Sequence, residues 1–268
     1  MTRIPRIPLR LKKIAFLFVT AGAIAATFLL PRYDLPPTYH YFADHRVLFG
    51  VANFGDVASN FAFLVAGLYG VAVTLLLRKH FADPSELASY LVLFGALALT
   101  AFGSAYYHLR PDDTRLFWDR LPITVAFMGL LAAMISERLS VLIGFWLLPV
   151  LVGCGGASLL YWRWTVEVGN RDLRPYILIQ FYPLLAILLL LWMFEPRYTR
   201  GYDFLIALSF YAAAKIFEVA DKPIFAATGE MISGHTLKHI SAALGGYWLA
   251  RMLTKRECLS EPILGNVS

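Results

Sequence analysis

Apolar positions in this chain come in long runs rather than alternating with polar ones. Eight runs stand out, at 14–30, 57–77, 87–107, 119–136, 140–161, 175–194, 203–220 and 235–253. Most are long enough to cross about 30 Å of hydrocarbon at 1.5 Å per residue. The pattern therefore predicts an all-α, polytopic membrane helix bundle of eight spans: a seven-helix core preceded by one extra N-terminal transmembrane helix. The linkers are mostly short, and no internal repeat is visible. Asp83-Pro84-Ser85-Glu86 marks the start of the third span, with an N-cap Asp, Pro in the first turn and Glu three residues on.

Composition agrees. Of 268 residues, 59% are apolar and only 16% charged, against about 25% charged in soluble proteins. That excludes a disordered chain and argues against an ordinary soluble domain. The net charge of +6 does not point to nucleic acid, because basic residues of membrane proteins collect at helix ends and cytoplasmic loops. Arg3, Arg6, Arg10, Lys12 and Lys13 precede the first run and hold the N-terminus in the cytoplasm. The same arrangement describes a signal peptide, with Ala-rich sequence at 22–26 for cleavage. The run exceeds the usual signal core of about 7–15 residues, which favours a retained helix. The chain divides into 1–30 (basic N-terminus and first helix), 31–56 (a non-cytoplasmic segment that could lid a site), 57–253 (the core) and 254–268 (a cytoplasmic tail). Cys154 lies in an apolar run and Cys258 in the polar tail, so neither a disulfide nor a zinc finger is expected.

Ionisable groups at membrane depth are costly and mark functional sites by default. The third span ends Gly103-Ser104-Ala105-Tyr106-Tyr107-His108, with Ser104 and His108 on one helix face. The fourth begins near Trp118-Asp119-Arg120. The last begins Ser233-Gly234-His235-Thr236-Leu237-Lys238-His239, where His235 and His239 stand one turn apart, a separation that suits two imidazoles on one metal ion. Alternating topology brings Ser104, His108, Asp119, His235 and His239 to the same non-cytoplasmic depth, although they come from three helices. Three histidines with an open fourth position form a common catalytic zinc arrangement, able to activate a water. Asp119 suits proton transfer and Ser104 suits holding the water or an oxyanion. Interfacial histidines, an N-cap Asp119 and a packing Ser104 are the plainer alternatives.

Ser104-x3-His108, Asp119 eleven residues further, and His235-x3-His239 together resemble the alkaline ceramidase family, within the CREST superfamily of membrane hydrolases. Asp56-Val57-Ala58-Ser59-Asn60, Phe117-Trp118-Asp119-Arg120-Leu121-Pro122 and Gly234-His235-Thr236-Leu237-Lys238-His239 flank these positions in the same manner. The resemblance covers 53–253 and is greatest to the bacterial ceramidase-like branch, which implies a bacterial inner (cell) membrane; the alternation of spans then puts the catalytic face on the periplasmic or extracellular side. It further implies Zn²⁺ on His108, His235 and His239, Asp119 as proton shuttle, Ser104 on the water or oxyanion, and hydrolysis of a ceramide-like lipid amide to a sphingoid base and a fatty acid. The family's calcium site, with its Trp and several Glu, has no counterpart in 39–56. Only Asp44, Asn53 and Asp56 there resemble hard-cation ligands, which puts Ca²⁺ in doubt.

Lys215 and Glu218 read as an internal ion pair, with Glu218 or Asp221 alternatively meeting a lipid headgroup. Asn60 could bond a neighbouring helix, the substrate or the metal's surroundings. Tyr106, Tyr107, Trp118, Trp162 and Trp164 read as an interface belt, and Gly153, Gly155 and Gly156 as close-packing positions. A membrane lipid is the expected partner, with no nucleic acid and no obligate protein partner. A hydrolase of another lipid, a receptor or sensor with structural zinc, and a transporter remain as rival readings. The absence of a repeat speaks against the last.

Overall fold

A computed structural model describes residues 7–259; Arg3, Arg6 and most of the expected tail lie outside them. Each apolar run lies in a helix: α1 (Leu9–Leu29), α2 (Phe54–Ala58) leading into α3 (Phe61–Leu76), α4 (Glu86–Leu109), α5 (Asp113–Arg138), α6 (Val141–Glu167), α7 (Arg174–Met193), α8 (Tyr202–Val219), α9 (Asp221–Ala227) and α10 (Gly234–Lys255). The described residues contain no β-strand. Six helical stretches are long and apolar enough to cross a membrane, the mark of an integral membrane protein: α1, α2–α3 together, α4, α5, α6 and α7. Two helices fall short of that apolarity: α8 carries Asp203, Lys215 and Glu218, and α10 carries Lys238, Arg251 and Lys255.

α10 packs on α8 and α3, α3 on α4, α4 on α5, and α5 on α6 and α7. Consecutive helices α7 and α8 stand further apart and meet through side chains, Gln180 Nε2 donating to the Tyr211 hydroxyl at 3.1 Å and Lys215 lying over Phe181. α1 docks against α7, where Phe16 meets Phe194 edge to face and Thr20 bonds Tyr182. This is the position of a helix added outside the core.

Two glycines let the site-bearing helix ends meet. A Cβ on Gly103 would overlap the Trp118 carbonyl, so glycine lets α4 lie against the start of α5. A Cβ on Gly234 would overlap the Phe217 carbonyl, so glycine seats the start of α10 on the end of α8. Of the expected packing glycines, Gly155 does meet Thr124 and Met128, whereas Gly153 and Gly156 face open space.

Helix ends differ from expectation where a polar cap overrides hydropathy. α5 begins at Asp113 because Asp112 accepts the Arg115 N–H at 2.7 Å, so Asp119 lies in the second turn and is no cap. Asp83 is not the N-cap: α4 starts at Glu86 after Ser85, Asp83 accepts the Ser85 N–H in the preceding turn, and Glu86 is buried and bonded to Arg197 and Tyr198 rather than turned back to a cap. Tyr106, Trp118 and Trp164 are exposed as a belt requires; Tyr107 and Trp162 are core residues, 2% and 1% exposed. Cys154 and Cys258 are free thiols.

Candidate metal centre

His108, in the last turn of α4, meets His235 and His239, in the first turns of α10. One ring nitrogen from each lies within 4.8 Å of the other two. His108 Nε2 and His235 Nε2 are 3.1 Å apart, and all three side chains are buried. The 3.1 Å separation of His108 Nε2 and His235 Nε2 suits a hydrogen bond between neutral rings or two ligands of one cation. Nitrogen donors at this spacing fit a borderline metal ion such as zinc. A buried three-histidine group that could hold a metal is therefore present, with no fourth His, Cys, Asp or Glu joining it among the described residues.

The surroundings fix how these rings point. Ser59 Oγ donates to the Asp56 carbonyl at 3.1 Å and stands 2.8 Å from His239 Nδ1. With its own proton committed, Ser59 accepts, so Nδ1 carries the hydrogen and Nε2 keeps its lone pair. Asn53 Nδ2 donates to the His108 carbonyl at 2.7 Å, tying the end of α4 to the turn before α2. Ser233 caps α10 by accepting the Thr236 N–H, and its hydroxyl donates to Asp56 Oδ1. Phe42, from the segment before α2, lies over both His108 and His235, with ring centroids 4.7 and 4.4 Å away.

A cavity of about 190 Å³ opens beside His239. Ser104, Asp119, Lys238 and His239 line its polar end, so Ser104 and Asp119 reach the same cavity wall as a metal-competent histidine. From there it runs between α4 and α10, past Leu97 and Gly246 to Leu93 and Leu249, about 16 Å of helix rise. Its deeper walls are almost wholly apolar, with Phe204, Leu208, Leu130 and Ile187 among them.

Several expected roles change. Lys215 and Glu218 do form an ion pair. Glu218 also bonds Lys238 Nζ at 2.7 Å, and that ammonium comes within 3.5 Å of His235 Nε2. Lys238 stands between the two histidines of the motif, one turn after His235, and its role shows only through these partners. Asp221 is no headgroup contact: its oxygens accept the backbone N–H groups of His235 and Ala43, each at 2.8 Å. Asn60 bonds the Asp56 carbonyl within its own segment instead of a neighbouring helix, and Ser59 beside it touches the histidine.

Of the three residues that resembled calcium ligands, each has other partners. Asp44 takes Arg46 Nε and Nη2 at 2.8 Å, with the Arg46 and Gly55 N–H groups added. Burial alone would raise its carboxyl, but these donors outweigh that and hold it below the ordinary carboxylate range. Asn53 donates its Nδ2 hydrogen to the His108 carbonyl, and Asp56 Oδ1 accepts from Ser233 and Thr236 while Asp56 Oδ2 is buried without a partner. Comparison of the chain with models of protein families and with curated proteins gives no match.

Proposed function

We propose that this chain is an eight-span membrane hydrolase that cleaves a lipid amide, with Zn²⁺ held by His108, His235 and His239. The observation that carries the proposal is the buried three-histidine group, one member of which, His239, lines a cavity that is polar at one end and apolar along its length. A metal there would supply Lewis-acid activation of water and of the amide carbonyl. Asp119, on the cavity wall, takes the proton of the attacking water and returns it to the leaving nitrogen. Ser104, buried beside it, donates a hydrogen bond to the oxygen that gains charge. An acyl chain fits the apolar depth of the cavity.

The resemblance to alkaline ceramidases supports an amide as the bond cleaved and a ceramide-like lipid as the starting point for substrates. α8 and α10 cross the membrane as the two polar-faced members of the core, their charges turned to the cavity or to the ends. The basic start of α1 (Arg10, Lys12, Lys13) places the N-terminus in the cytoplasm and the histidines at the opposite, periplasmic face of a bacterial inner membrane.

The test is Asp119→Asn on detergent-purified protein, with amine and fatty acid release followed over a panel of ceramides, other N-acyl lipids and lipid esters. Metal content should stay at the wild-type level while turnover falls by about two to four orders of magnitude. Undiminished turnover would remove Asp119 from the mechanism. Cleavage of esters alone would replace the amide with another lipid bond.

A further inference from the structure

Arg120 is left over by this chemistry. It is 4% exposed on α5 and lines the cavity next to Asp119. Nη2 donates to the Tyr39 hydroxyl at 3.2 Å, and the guanidinium lies over Tyr39, Trp162 and Tyr176, 4.5–5.4 Å from the ring centroids. Nη1 has no partner, and no carboxylate pairs with the group among the described residues. The other buried arginine, Arg256, has Glu137. Burying a guanidinium without a carboxylate is costly, and aromatic faces offset that cost only in part.

The rest of the cavity deepens the imbalance. Lys215 and Lys238 share the single carboxylate Glu218. Arg120, Lys215 and Lys238 thus stand against Asp119 and Glu218, before any divalent cation on three neutral imidazoles is counted. Such a wall repels a cationic amine and gains nothing from a neutral headgroup. It attracts an anion, and a guanidinium with free donors is the group best shaped to hold a carboxylate or phosphate.

We propose that the site selects a lipid amide whose amine half carries an anionic group, held between Arg120 on α5 and Lys238 on α10. This rests on the hydrolase reading for the bond cleaved, and adds the charge of the substrate. Arg120 and Lys238 are specificity-determining residues, and Tyr39, Trp162 and Tyr176 hold Arg120 in place.

The experiment compares three lipids with one acyl chain: N-dodecanoylglycine, N-dodecanoyl-phosphoethanolamine and the neutral N-dodecanoylethanolamine. Affinity for zinc-loaded protein is read from tryptophan fluorescence, and cleavage from amine release. At least one anionic lipid should bind the wild type about tenfold or more tightly than the neutral one, and which one does so separates carboxylate from phosphate. Arg120→Gln should erase that preference while leaving affinity for the neutral lipid within about threefold, and Arg120→Lys should restore part of it. Equal wild-type affinity for all three lipids overturns the proposal, as does a variant that weakens all three alike. If Arg120→Gln does not fold, the wild-type ratio and Lys238→Met decide. A binding preference without cleavage of any lipid overturns only the hydrolase reading; cleavage without a preference overturns only the charge selection.

Discussion

Ser59→Ala removes one hydroxyl that touches no expected substrate and is no metal ligand, so its effect isolates the orientation of His239. The hydroxyl stands 2.8 Å from His239 Nδ1 and passes its own hydrogen to the Asp56 carbonyl. The alanine variant leaves a buried Nδ1–H without its acceptor. A neutral hydrogen bond is worth about 1 kcal/mol net, and about 1.5–3 kcal/mol when one partner carries charge, as an imidazole does on a divalent cation. The bond also keeps the ring turned, and losses of this kind lower metal affinity about 10–100-fold. The assay is zinc competition against a chromophoric chelator at fixed pH, with thermal unfolding of the metal-free protein as a control for folding. The expected result is a fall in affinity of that size with the apo melting temperature moved by only a few degrees. Affinity unchanged within about threefold would refute the argument that Ser59 sets the tautomer and angle of His239, and so would a fall as complete as that of His239→Ala.

The opposite end of the bundle offers a test unrelated to the site. Arg256 and Glu137 form a buried pair there, with Arg256 also over Tyr198 at 3.9 Å, so Glu137→Ala should cost about 3–5 kcal/mol by stranding the cation. Glu137→Leu with Arg256→Met should recover most of that loss, measured by denaturant unfolding in detergent. Asp172, fully buried in the α6–α7 loop, is held below the ordinary carboxylate range by the Arg174 side chain and backbone N–H and the Tyr161 hydroxyl. A carboxyl depressed by folding stabilises the fold fully above its unfolded value of about 3.9 and loses that contribution as pH falls through its lower folded value. Asp172→Asn should therefore flatten the acid limb of a stability–pH curve below about pH 4; an unchanged limb would show that the pair contributes nothing.

The centre of the site was legible because its residues carry local spacing signals. Ser104 with His108, and His235 with His239, are one-turn pairs, and alternation of spans brings them together with Asp119. What escaped depends on partners distant in sequence. Ser59 meets His239 across most of the chain, and no motif announces it. Asp221 looks like a free intramembrane acid until α9 folds it back onto the His235 and Ala43 amides. Tyr107 and Trp162 share the composition of an interface belt, and only packing shows them inside, one bonded to His40 and the other against Arg120. The early start of α5 could have been read from Asp112, a cap that hydropathy ignores. Lys238 was in plain view within the histidine motif, but its meaning came from Glu218 and the cavity.

The central claim is that His108, His235 and His239 hold a metal ion. The most direct measurement is the metal content of detergent-purified protein by plasma mass spectrometry, wild type beside His239→Ala. The account predicts about one zinc per wild-type chain and its loss in the variant, with both proteins folded. Folded wild-type protein that takes up no stoichiometric metal, even after incubation with zinc, would contradict it.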